Sequence, residues 1–261
     1  MSILERHDTG AVTRLVLNAP ERLNALSDEM LAALHTSLNE IADDRSVRAV
    51  IISGNGKAFC AGHDLKQMTA GRQAEDGGRV YFKNLFDQCA AMMARISSIP
   101  QPVIAQVHGI ATAAGCQLVA TCDMAIAAQG TEFGVNGVNI GLFCSTPMVA
   151  LSRNIGRKQA FEMLTTGAFI EAERAETLGL INRVVAPETL NAETMVLAET
   201  VASKLGRAVK IGKKAFYNQI EMNVADAYDY TGDVMVENML DQDTSEGIAA
   251  FLEKRDPTWK Q

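Results

Sequence analysis

The 261 residues are 48% hydrophobic and 21% charged, with a net charge of −7, which suits a globular chain large enough for one sizeable core. The acidic balance, the lack of a basic stripe and an aromatic content of only 5% exclude nucleic acid as the main partner. Five cysteines (Cys60, Cys89, Cys116, Cys122, Cys144) are scattered without a CxxC pair, MSILERHDTG has neither signal nor transit character, and no apolar run approaches membrane-spanning length, so a cytoplasmic location without a membrane partner is expected.

Val12 to Asn18 reads as a strand ended by Asn18-Ala19-Pro20. Ser27 has the character of a helix N-cap, followed by Asp28 and Glu29, and Leu31, Leu34, Leu38 and Ile41 recur at helical spacing to about Asp43. Ala49 to Ser53 is a second strand and GNG at 54–56 a turn. Thr69 to Gly78 is polar and reads as a loop, and Val80 to Ser98 as an amphipathic helix stopped by Pro100 and Pro102. Val103 to Val107 has the β-branched character of a buried strand. The tract from 131 to 147 is rich in Gly and Asn, with little helical signal before Cys144. Helices are expected from Ser145 to Asn154, through GRKQAFEMLTTG to Gly167, and from Glu171 to Leu178, then a strand from Leu180 to Val185. Beyond Pro187 the pattern is helical: about 188–205, 207–220, 224–240 and 244–254. The strand-turn-helix units at 49–68 and 103–121 have similar layouts, which suggests a repeating α/β framework.

The chemistry-bearing stretch is PVIAQVHGIATAAGCQLVATCDMAIAA, 102–128. A strand breaks at His108-Gly109, and small residues from Ala111 to Gly115 lead into a helix. Such a junction lets another backbone or a ligand come close, and the first helical turn offers unpaired N–H groups suited to an oxyanion. Tight helix–sheet packing is the other reading of the same residues. No metal-ligand cluster, GxSxG elbow, Walker loop or dinucleotide fingerprint is present.

NAPERLNAL at 18–26, AFCAGHDLKQM at 58–68, VHGIATAAGCQLVATCDMAIA at 107–127, TGAFIEAERAETLGLINRVV at 166–185 and FLEKRDPTWK at 251–260 together resemble the crotonase (enoyl-CoA hydratase/isomerase) superfamily, in the family's order and over nearly the whole chain. The resemblance implies an α/β fold: a superhelical core of repeated ββα turns (1–187) and a C-terminal helical region (188–261) that packs on the core and on neighbouring subunits, giving a homotrimer or a dimer of trimers. It implies a coenzyme A thioester as substrate, with no permanently bound cofactor and no metal. The thioester carbonyl would lie between the backbone amides of His63 and Ala114. Arg22, Leu23, Ala25, Ala61, Asp64, Leu65 and Gly115 would line the CoA, and Phe251 and Lys254 would reach its nucleotide end from a neighbouring subunit. Solvated surface charge is the alternative for Arg22 and Lys254.

Hydratases of the family use two glutamates, and the matching positions here are Gln117 and Gly137. Neither can exchange a proton near neutral pH. Ser145 matches the position of an acid in related isomerases and dehalogenases, but a serine without a base is a poor acid. His63 has a suitable pKa range, and its side chain acts on the ester or simply packs. Cys144 offers a thiolate or an inert buried thiol. Asn136 and Asn139 orient a polar group or cap turns, and Asp123 is assigned to structure. The expected function is an acyl-CoA-acting enzyme of lipid or acyl metabolism, an isomerase or thioester hydrolase rather than a two-glutamate hydratase. The alternative is a non-catalytic acyl-CoA binder or scaffold, and RNA binding is disfavoured by the charge.

Overall fold

The computed structural model describes residues 2–260. In chain order the elements are β1 (Leu4–Thr9), β2 (Val12–Leu17), α1 (Asp28–Asp43), β3 (Ala49–Gly54), α2 (Leu65–Gly71), α3 (Arg79–Ser98), β4 (Val103–Val107), β5 (Ile110–Thr112), α4 (Ala114–Thr121), β6 (Met124–Ala128) and β7 (Glu132–Gly134). They continue as α5 (Pro147–Asn154), α6 (Arg157–Thr166), β8 (Ile170–Glu171), α7 (Ala172–Leu178), β9 (Arg183–Val185), α8 (Leu190–Ala202), α9 (Gly206–Gln219), α10 (Val224–Met239) and α11 (Gln242–Glu253). A six-stranded sheet runs β1-β2-β3-β4-β6-β9, antiparallel only at β1–β2, and a three-stranded sheet runs β5-β7-β8. Each repeat sends a long strand to the large sheet, a short one to the small sheet, and then a helix, as in β4–β5–α4. This is the repeated ββα superhelix that the resemblance implied.

Alternation along the strands builds the two faces. Val50 and Ile52 of β3 point into the main core, where Leu31, Leu34, Leu38 and Ile41 of α1 meet Met92, Met93 and Ile96 of α3. Ala49 and Ile51 point the other way, onto Ala198 of α8. Ser27 caps α1, its side chain accepting from the Met30 N–H at 3.2 Å.

Three boundaries differ from the sequence reading. β1 was not anticipated: its burial is confined to its first two residues, so it lacks the alternation that marks a strand. The loop expected from Thr69 begins later, because Asp64 caps α2 and the helix runs to Gly71. The strand expected from Leu180 is shorter and starts at Arg183.

Asp123, between α4 and β6, is a structural hub. Its carboxylate accepts from the Val103 N–H (2.6 Å), Lys213 Nζ (2.6 Å) and Tyr217 Oη (2.7 Å). Lys213 also donates to the Ile96 and Gln101 carbonyls at 2.8 and 2.9 Å. Burial pushes the Lys213 ammonium down, opposed by Asp123. A buried pair of this kind is costly to break from one side. It fastens α9 to the core, whereas α10 buries none of its residues.

Candidate functional site

Four short backbone segments lie side by side at one end of the sheets. The Ala61 N–H donates to the Leu23 carbonyl (3.0 Å) and the Leu26 N–H to the Gly62 carbonyl (2.7 Å). The Cys60 N–H donates to Ile110 (3.1 Å), Thr112 returns a bond to Cys60 (3.0 Å), and the Ala113 N–H donates to Gly134 (2.9 Å). Bridges Leu26↔His63 and Cys60↔Ala111 thus extend the small sheet toward the 20–26 loop.

This stitching brings His63 and Ala114 together. A Cβ on Gly62 would stand 3.2 Å from the Ala114 nitrogen and 2.9 Å from the Ala113 Cβ, and φ at Gly62 is +90. Only glycine meets both demands. Gly115 lets α4 dock, since a Cβ there would collide with the Cys60 carbonyl. Ala113 takes φ 52, ψ −120, an unfavourable conformation for a residue with a side chain. Strain of this kind marks sites where a backbone group is aimed. Among the described residues, neither the His63 nor the Ala114 N–H donates to another backbone group.

Asn24, which the sequence reading passed over, ties the 20–26 loop down. It is fully buried at φ 52, accepts from the Ala19 N–H (2.9 Å), and donates to the Asn55 and Ala58 carbonyls (both 2.8 Å). Its signal was an asparagine, a residue tolerant of left-handed backbone, beside the Pro-Glu-Arg turn. Beside it Leu23 is also left-handed, Ala25 is buried, and Arg22 reaches the buried Asp64 at 3.4 Å. Asp64 accepts from the Lys66 and Gln67 N–H groups, and Leu65 is exposed. Arg22, Leu23, Ala25, Ala61, Asp64, Leu65 and Gly115 therefore lie on or next to the stitched segments. Phe251 and Lys254 lie at the far end of α11.

The His63 ring turns away from solvent. Nδ1 is 3.4 Å from the Leu26 carbonyl, which sets Nδ1 as the protonated nitrogen, and the ring meets Phe86 edge-on at 5.7 Å. Burial pushes its pKa down, opposed by the Leu26 carbonyl and Asp28. Nε2 is enclosed and has no hydrogen-bond partner. Gln117 is 6% exposed, and its Oε1 likewise has no partner. Cys144 is buried and its thiol is pushed up, so burial works against a thiolate there. Ser145 is exposed, its Oγ 3.4 Å from the Phe143 carbonyl with no base bonded to it. Asn136 Oδ1 accepts from Thr112 Oγ1 (2.7 Å) and Asn139 Nδ2 donates to Gly167 (3.3 Å). A Cβ on Gly137 would collide with the Leu142 carbonyl and crowd the Cys144 sulfur, so the local backbone has no room for a side chain.

The family described as Enoyl-CoA hydratase/isomerase matches residues 7–261. Enoyl-CoA hydratase domain-containing protein 3, mitochondrial, from Xenopus laevis is 44% identical over 95% of this chain and 83% of its own length, and the Homo sapiens protein of that name is 45% identical over 95% and 80%. This agrees with the likeness of IGLFCSTPMVALSR (140–153) and GHDLK to that subfamily. The crystal structure of an enoyl-CoA hydratase from Mycobacterium smegmatis superposes with a TM-score of 0.95 at 52% identity, covering 99% of both chains. The structure of human enoyl-CoA hydratase domain-containing protein 3 superposes at 0.94 and 43% identity, covering 98% of this chain and 100% of that one. The cytoplasmic expectation is corrected by these names, which point to mitochondria. Scattered unpaired cysteines report a reducing compartment and do not distinguish one such compartment from another.

Proposed function

Since the chain belongs to the enoyl-CoA hydratase/isomerase family, we propose that it binds an acyl-CoA thioester and polarises the thioester carbonyl between the N–H groups of His63 and Ala114. The observation that carries this reading is the pair of unengaged amides on neighbouring, cross-tied segments, one of them at the start of α4. As an enolate or tetrahedral oxyanion forms, charge builds on the carbonyl oxygen, and donors fixed beforehand stabilise it without reorganising. The CoA follows Arg22, Leu23, Ala25, Ala61, Asp64, Leu65 and Gly115. Phe251 and Lys254 serve the nucleotide end of a neighbouring copy in a trimer or a dimer of trimers. The apolar exposure of the C-terminal helices supports that assembly, with Tyr228 77%, Leu240 75% and Phe251 81% exposed. It also supports treating 188–261 as the subunit-facing region and 1–187 as the ββα core.

With Gln117 and Gly137 where family hydratases carry glutamates, addition of water through a carboxylate pair is not the reaction we assign. Isomerisation or thioester hydrolysis needs one base. The His63 imidazole, neutral by burial and with Nε2 unpartnered, has the protonation state for it. Incubation with a panel of acyl- and enoyl-CoA esters in deuterated water, read by mass spectrometry, tests the proposal. Product or α/γ-deuterium uptake is expected, and Ala114→Pro, which removes one N–H, should lower turnover by roughly 10²–10³-fold in a folded protein. Undiminished turnover in that variant overturns the assignment. If esters bind but all survive unlabelled, the protein is an acyl-CoA binder without chemistry.

A further inference from the structure

Two buried polar atoms flank the paired amides, and neither has a partner. One is Nε2 of His63, the residue whose own N–H is the first donor. The other is Oε1 of Gln117, three residues along α4 from Ala114 and so on the same helical face as the second donor. Both are enclosed, and folded proteins seldom leave such atoms unpaired without a use. Their neighbours do not relieve them. Thr112 and Asn136 bond each other, Gly137 has no side chain, and the His63 Nδ1–H is directed at Leu26.

Both atoms are acceptors as placed. Nδ1–H facing the Leu26 carbonyl leaves Nε2 a lone pair, and Gln117 turns its carbonyl oxygen inward. A hydrocarbon acyl chain would bury both without compensation, and an ammonium would bring an unpaired charge into an enclosed site. A hydroxyl meets the need. It donates to either acceptor, and it still pairs if the Gln117 amide is turned over. Three residues of helix rise by about 4.5 Å, which places the Gln117 backbone within a few bonds of a carbonyl held at Ala114.

We propose that His63 and Gln117 are specificity residues that select acyl-CoA esters hydroxylated within the first carbons beyond the thioester over plain aliphatic esters. The inference rests on the acyl-CoA reading above and deepens it. It makes this a site for polar acyl groups, with His63 and Gln117 acting by hydrogen bonding whether or not either moves a proton.

The test is calorimetric titration of the full-length protein with butyryl-CoA and with 2-, 3- and 4-hydroxybutyryl-CoA. At least one hydroxy ester should bind about tenfold or more tightly than butyryl-CoA, the scale on which sites built for a hydroxyl reject the analogue lacking it. The ratio of the two affinities should fall toward one in H63F, which keeps the backbone N–H, or in Q117M, which keeps the volume. Equal binding of plain and hydroxy esters by the wild type overturns the inference alone. That is also the result expected if water satisfies both atoms. A preference that survives both substitutions overturns it too, and failure of every ester to bind overturns it together with the acyl-CoA reading.

Discussion

The loops presenting the two amides and the segment that follows β7 are tied in opposite ways. Residues 23–26, 60–63 and 110–113 are bonded to one another across long stretches of chain, as in Ala61 to Leu23 and Thr112 to Cys60. Val135 to Ser145 is bonded largely to itself, as in Leu142 to Gly137 and Ser145 to Phe143, and leaves Ile140, Leu142 and Phe143 exposed. The first region does its work with backbone N–H groups, so the fold fixes it. The second contributes side chains, which can change without disturbing the ladder. Carbonyl polarisation and proton transfer are therefore separable properties of this architecture.

The sharpest way to break that contrast is Gly115→Ala. Its methyl would meet the Cys60 carbonyl, so α4 must shift off the ladder. A loss of about 3 kcal/mol in urea unfolding is expected. A loss below about 1 kcal/mol would mean that the stitched region yields as easily as the other.

Gly137→Glu probes the self-bonded segment. Because of the Leu142 carbonyl and the Cys144 sulfur, restoring a carboxylate there should cost about 2 kcal/mol. Combined with Q117E it should still not produce hydratase activity, because the acid cannot take its place without moving the turn. Hydration of crotonyl-CoA by the double variant would show that the segment adapts freely.

The smallest effect is one of pH. Burial holds the His63 imidazole below its unfolded value near 6.5, so below that pH the unfolded chain binds more protons than the native one. The contribution is intact above about 6.5 and declines as the pH falls toward the folded value, by at most about 1.4 kcal/mol per pH unit. Urea midpoints at about pH 7.5 and about pH 5.5 should converge in H63F relative to the wild type. An unchanged difference would remove His63 from the acid sensitivity.

How legible each part was follows its physics. Helix α1 could be read because Ser27 caps it and four aliphatic residues repeat on one face, and β4 because five apolar residues sit between a proline and a His-Gly break. The AFCAGHDL and ATAAGC tracts pointed to the amides, since small residues at strand-to-helix junctions mark close approach. The placement of Asn24 was hidden: a buried asparagine in a left-handed turn looks like any loop asparagine until its three partners arrive from distant residues. The orientation of the His63 ring, and the want of a partner at Gln117, depend on rotamers and on long-range packing that no spacing rule encodes.

Asp123 leaves the ribosome 90 residues ahead of Lys213 and 94 ahead of Tyr217. Until α9 emerges, its carboxylate lacks the ammonium and the phenol that compensate its burial, with the Val103 N–H as its remaining donor. Domains tend to fold as units from the N-terminus during synthesis. Here the nascent ββα core is held short of completion until its C-terminal helices arrive, so release of a full-length chain is itself a condition of closure. Chains truncated before α9 should accumulate as substrates for chaperones and proteases, even though every strand of both sheets has already been made.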